Sequence, residues 1–328
     1  LAISIGRRFT TFENESEMTL IILEVILCFS IWLAQVFLGS LLIVGFQRLI
    51  GAHWLYHIES RLRLFLNFKF LMTLFVLFLG LFYLRGHLYP WIDLSQVRGS
   101  FAKNYFTSWF FLLRLFIDFS VFATLIYYLK KQVRGIGPIV LIAVLLFGSQ
   151  FVADWVMSLN PHWKSTGFEL IFLVSSIVLT YSLAVVSMTE KALDNEMMDI
   201  GSVHFSVIAT WTYLTIMQLI VIWSGNLPDE STWYISRLHT SWKYLALFIG
   251  IFQIAIPLFL LLVRKLKASL IATRRLGFAS LISQSVFTFL MIEPSLHPTG
   301  FANVSGLLIF AVLVFATLWF YSQRLRHE

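Results

Sequence analysis

The chain has 328 residues, 59% of them hydrophobic and 12% charged, with 33 Phe, 11 Trp and a formal net charge of +7. A soluble domain carries about 25% charged residues, and here runs of about 20 apolar residues recur along the whole length. Composition therefore excludes a soluble globular protein and predicts an all-α integral membrane protein. In a soluble protein the basic excess would suggest nucleic acid. Here it falls mainly in loops and reads as a topology signal, so no nucleic-acid partner is expected.

Taken in chain order, the apolar runs predict nine spans near 18–47, 64–84, 107–129, 137–158, 166–188, 203–225, 242–263, 276–292 and 303–322. After the first, "GAHWLYHIESRLRLFLNF" places Trp54, Leu55, Ile58, Leu62 and Phe65 on one helical face with Arg and His elsewhere. That pattern predicts an interfacial helix near 51–66. Alternating the loops gathers most Lys and Arg on one side, including Arg48, Lys130, Lys131, Arg134, Arg264, Lys265 and Lys267. This predicts an outside amino terminus and a cytoplasmic carboxyl terminus. The opening "LAISIGRRFTTFENESE" has no apolar leader core, so the expectation is that a further helix precedes Leu1.

The fourth span ends in "DWVMSLNPHW" and the eighth in "FLMIEPSLHP", so an acid, a proline and a histidine recur four spans apart. This echo predicts two parallel four-helix bundles, residues 1–160 and 161–302, with a peripheral helix and cytoplasmic tail at 303–328.

Ionisable residues inside spans are functional candidates because a charge in lipid costs several kcal/mol unless partners or water offset it. Arg114 and Asp118 stand four apart in the third span, so they share a face. A proton relay and a static ion pair both fit them. Glu24, two turns into the first span, reads as a snorkelling carboxylate, with Gln35 about three turns beyond on a similar face. Asp154, with Gln150 one turn deeper, is expected to meet water at the outer end of the fourth span, with Trp155 at the interface and His162 and Glu169 nearby. His204 opens the sixth span close to Asp194, Glu196 and Asp199, which suits proton entry or a solvated loop. Gln218, Gln253, Gln284 and Thr288 read as polar glue between helices, and Pro257 frees one carbonyl in the seventh span.

Absences narrow the field further. One cysteine, Cys28, excludes an internal disulfide, a CxxCH haem attachment and a cysteine-ligated iron–sulfur cluster within the chain. The eight histidines fall at span ends or in loops, which argues against axial haem ligation. No GxxxxGK[ST], GxGxxG, HExxH or GxSxG stretch occurs. No cofactor is therefore expected in this chain.

"DWVMSLNPHWKSTGF", "HFSVIATWTYLTIMQLIVIWSGNLPDESTWYISR" and "GAHWLYHIESRLR" resemble the ActF subunit of alternative complex III, the bacterial quinol:cytochrome c oxidoreductase, and "YFTSWFFLLRLFI" before Asp118 resembles its third-span counterpart, including Arg114. The resemblance covers nearly all of the chain in order and spacing. It implies a fold related to the NrfD and polysulfide-reductase membrane subunits, in the bacterial inner membrane. It also implies a non-catalytic, cofactor-free role beside an NrfD-like sister subunit, iron–sulfur and haem c subunits and, in some assemblies, a terminal oxidase. Menaquinol or another quinol supplies the electrons, lipid surrounds the chain, and both a quinone site and a part in proton translocation are implied for this subunit. Carried over residue by residue, Asp154 and His162 fall to the outer exit, Arg114 and Asp118 to the middle, and His204 with Asp199 to the inner mouth. Two departures stand out: the family's first helix is missing before Leu1, and the acid usual before Pro-His-Trp is here Asn160. A structural anchor in the same complex and an independent secondary transporter are the competing expectations.

Overall fold

The computed structural model describes residues 2–51, 55–93, 100–160, 163, 165–188, 194–300 and 304–326. Among them, nine helices are long and apolar enough to cross a membrane: Met18–Ile50, Phe68–His87, Ser108–Lys130, Ile136–Leu159, Thr166–Val186, Glu196–Gly225, Lys243–Leu262, Leu270–Leu296 and Ser305–Leu325. The chain is a multi-pass, all-α membrane protein. We refer to these as the first to ninth spans, and call "upper" the end where the first begins and the eighth finishes.

Local chemistry sets the ends. The second span starts where the Asn67 side chain accepts from the Phe70 N–H at 2.8 Å, and the eighth where Ser269 caps Ala272, each satisfying a donor that the first helical turn leaves free. Gly51 (φ 70°) closes the first helix and Gly135 (φ 78°) turns the chain into the fourth span, in a backbone region that glycine enters without penalty.

The second span packs on the first and third, the third on the fourth, and the fourth on the first. The sixth packs on the fifth and seventh, the seventh on the eighth, and the eighth on the fifth. The first span joins these two rings by lying against both the fifth and the eighth, and the ninth leans on it. The apolar windows of the first, fifth and eighth spans are accordingly 72%, 72% and 78% buried, against 17% for the ninth, so these three form the axis. Small residues permit the close crossings. A Cβ at Gly39 would collide with the Ser176 carbonyl and the Thr180 hydroxyl of the fifth span, and one at Gly137 would come within 2.8 Å of the Gly45 carbonyl of the first.

The amphipathic segment after the first span forms the helix Tyr56–Leu62. Leu55, Ile58, Leu62 and Phe65 are buried within the protein, while Trp54 lies outside the described residues. Glu59, on the supposedly polar side, is also buried and accepts from Arg48 at 3.1 Å. Both sides of this helix are therefore partly covered by protein.

Candidate functional site

Two antiparallel ladders of polar side chains cross the helix pairs. The first joins the third and fourth spans. Arg114 sends Nε and Nη2 to the two carboxylate oxygens of Asp154 at 2.8 and 2.9 Å, a fork-to-fork geometry in which each N–H has its own acceptor. Its Nη1 donates to the Tyr105 carbonyl at 2.9 Å, and the guanidinium lies 3.7 Å from the centre of the Tyr105 ring. The Tyr105 hydroxyl is also bonded to Asp154. One turn lower, Gln150 donates to Asp118 at 3.3 Å.

This corrects two expectations. The cation is paired across helices with Asp154, not along its own helix with Asp118. Asp154 and Trp155, expected at the water interface, are 2% and 1% exposed. Burial, with the Asp154 charge as a second cause, raises both Tyr89 and Tyr105 above the ordinary phenol value, which keeps these hydroxyls as donors. A wide π-helical turn over Val144–Gly148 precedes this stretch. By adding a residue to one turn it rotates the face that follows, aiming Gln150 and Asp154 together at the third span.

The second ladder joins the first and eighth spans. At its upper end His297 Nε2 lies 3.1 Å from Glu24 Oε2, and Cys28 donates to Glu293 Oε1 at 3.6 Å. Glu24 and Glu293 are 5% and 4% exposed, so Glu24 is not snorkelling. The bond to Glu24 raises the His297 imidazole above its ordinary value, against burial that lowers it. Below, Trp32 donates to Ser285 at 2.9 Å. Further down, Gln35, Ser175, Gln284 and Thr288 close a network: Gln35 to Ser175 at 3.4 Å, Ser175 to Gln284 at 2.6 Å, and the Thr288 hydroxyl to Gln35 Oε1. Ser30, Ser280, Ser283 and Gln284 Nε2 along the same seam are buried without a protein partner, a condition that buried water normally relieves.

Pro294 sits inside the eighth span and supplies no N–H to the Leu290 carbonyl. Arg237, from the helix Pro228–Leu238, fills the gap, donating to the carbonyls of Leu290 and Met291 at 2.9 and 2.7 Å while stacking on Trp233. The break that carries Glu293 and His297 is thus held rigidly.

At the lower end, His204 is fully buried two turns inside the sixth span, with Nε2 3.1 Å from the Ser182 hydroxyl and Nδ1 without a partner. Of the acids expected beside it, Asp199 is exposed and Glu196 pairs with His57 at 3.5 Å, so neither of these two is bonded to His204, and the Asp194 side chain lies outside the described residues. Glu169 is half-buried and bonded to Ser149 of the fourth span, and Gln218 reaches Ser165 at 2.6 Å. His162 lies outside the described residues. A cavity of about 190 Å³ near the upper end of the second ring is walled by Phe168, Trp211, Trp233, Tyr234, Phe287 and Leu290.

Neither the family models nor the curated proteins contain a match to this chain. The sequence reading missed Glu24, Cys28, Glu293 and His297 as a group. The signal was the echo "FLMIEPSLHP", which placed an acid, a proline and a histidine together but did not show that Glu24 faces them.

Proposed function

We propose that this chain is a non-catalytic membrane subunit of a quinol-oxidising complex and that it carries protons along the seam of its first, fifth and eighth spans. The quinol complex comes from the ActF resemblance, as do the sister, iron–sulfur and haem c partners and the correspondence of the two helix rings to NrfD-like bundles. The route comes from one observation: in the most buried part of the protein, a hydrogen-bonded network of Gln35, Ser175, Gln284 and Thr288 lies between a carboxylate pair above and His204 with Ser182 below. Hydroxyl groups both donate and accept, so they can pass a proton on. The eighth span rises about 7.5 Å from Thr288 to Glu293, a step for bridging water.

On this reading Arg114 and Asp154 brace the third and fourth spans, and Asp118 is the titratable candidate of the first ring. The anchor reading draws on that same brace. A quinone, which the resemblance allows, would find an apolar chamber in the 190 Å³ cavity, where the protonated Tyr234 hydroxyl offers a donor beside aromatic walls.

The test uses the purified complex in liposomes, with protons counted per electron passed from quinol. Glu293→Gln and Gln284→Leu should lower the proton count while quinol oxidation continues, and Asp118→Asn should lower it less. Unchanged stoichiometry in Glu293→Gln and Gln284→Leu would remove the seam as a route and leave the anchor.

A further inference from the structure

We propose that Glu24, Glu293 and His297 form a binding site for a divalent transition metal, with Zn²⁺ the best fit. The inference stands on the geometry of the cluster and does not need the proton reading. One ligand atom from each residue lies within 4.8 Å of the other two. The donors come from the first span, the eighth span and the residue just after it. In a tetrahedral zinc site with bonds of about 2.0–2.1 Å, neighbouring N and O donors stand about 3.3 Å apart. The His297 Nε2 to Glu24 Oε2 distance of 3.1 Å is already close to that edge, so small rotations of the Glu293 side chain complete three corners and leave the fourth for water.

Charge favours the same ion. Two carboxylates are buried here, and the cationic partner they have in the cluster is a titratable imidazole. Arg237 is engaged with the Leu290 and Met291 carbonyls, Ser236 and Ser295, and the Trp242 indole with the His297 carbonyl. A divalent cation bound by two carboxylates and a neutral imidazole gives an uncharged unit, which a low-dielectric site tolerates far better than two carboxylates sharing one titratable imidazole. A nitrogen donor among three ligands suits Zn²⁺ and disfavours Ca²⁺ and Mg²⁺, which take six or more oxygens counting water.

Two further features belong to a metal site. Cys28, fully buried, directs its thiol to Glu293 at 3.6 Å, the kind of outer hydrogen bond that orients a ligating carboxylate. His297, with a side chain 31% exposed, gives the ion an entrance, and the Arg237 clamp holds the helix end on which two of the donors sit.

The purified protein in detergent, stripped with chelator, would be titrated with Zn²⁺ against a competing chromophoric chelator. One saturable equivalent per chain is expected. Glu293→Gln and His297→Asn should each weaken it by roughly tenfold or more, since loss of an outer partner alone costs 10- to 100-fold. Cys28→Ser, which keeps a donor to Glu293, should retain stoichiometric binding, as should His57→Asn in the distant His57–Glu196 pair. Zn²⁺ should also raise the Tm of the wild-type protein, and Mg²⁺ should not, a readout that requires no variant to fold. Absence of a saturable equivalent with no Tm response, or undiminished affinity in both ligand variants, would overturn the site. Proton counting plays no part in this experiment, so its failure is distinguishable from failure of the proton route.

Discussion

The two ladders use the same construction and reach opposite electrostatic states. In the third and fourth spans the upper rung pairs one guanidinium with one carboxylate, all of it bonded in a closed arrangement. In the first and eighth spans the upper rung sets two carboxylates beside one imidazole and a thiol. A balanced, bidentate pair has little reason to exchange protons or ions. An unbalanced one does, because the missing positive charge must come from a proton or a metal. Burial alone therefore does not mark the functional rung; the charge sum around it does.

The largest effect expected follows from the balanced rung. Asp154→Ala leaves the Arg114 guanidinium buried without its carboxylate, which costs about 3–5 kcal/mol. Thermal unfolding in nanodiscs should show a large fall in Tm, and replacing Arg114 with Met in the same chain should recover most of it. If Asp154→Ala melted like the wild type, the rung would not be the lock described here, and the contrast between the ladders would collapse.

A middle-sized effect tests what holds the unbalanced rung in place. Arg237→Met strips donors from the Leu290 and Met291 carbonyls, and leaving such buried groups unsatisfied costs about 1–3 kcal/mol. In a Pro294→Ala background residue 294 can donate to Leu290 again, so the same change should cost measurably less. A double-mutant cycle on Tm gives the coupling. Additive losses would mean that Arg237 does not answer the proline break.

The nine spans were legible because apolar length and charge-bounded ends are properties of the segments themselves. The sites were less so, and the reasons are local. Arg114 and Asp118 share a helix face in the sequence, but a face does not name the helix opposite, and here that helix offers Asp154. The fourth span appears as one regular run, whereas the π-helical turn over Val144–Gly148 shifts the register of everything after it, and no proline marks the turn. A second π-helical turn, over Gly250–Ala255, lies just before Pro257, which denies the Gln253 carbonyl its usual helical donor. Glu24 was read as snorkelling because its distance from the span end permits it. What decides otherwise is Glu293 and His297, more than 260 residues away in the chain. Contacts of that separation leave no mark in periodicity.

The smallest effect is the dependence of stability on pH at the unbalanced rung, and its sign is fixed. The bond to Glu24 raises His297 above its ordinary value, about 6.5 in an unfolded chain. A raised histidine contributes stability that is fully present below about 6.5 and is lost as pH climbs through the higher folded value. Wild-type Tm should therefore decline as pH rises from about 6.5 upward, and His297→Asn should flatten that part of the profile. With the side chain partly open to water, screening keeps the slope shallow. The Arg114–Asp154 rung contains no histidine, so Asp154→Ala should lower the curve and leave in place the part of the decline that His297→Asn removes. A profile flattened by Asp154→Ala and untouched by His297→Asn would reverse the assignment of the two rungs.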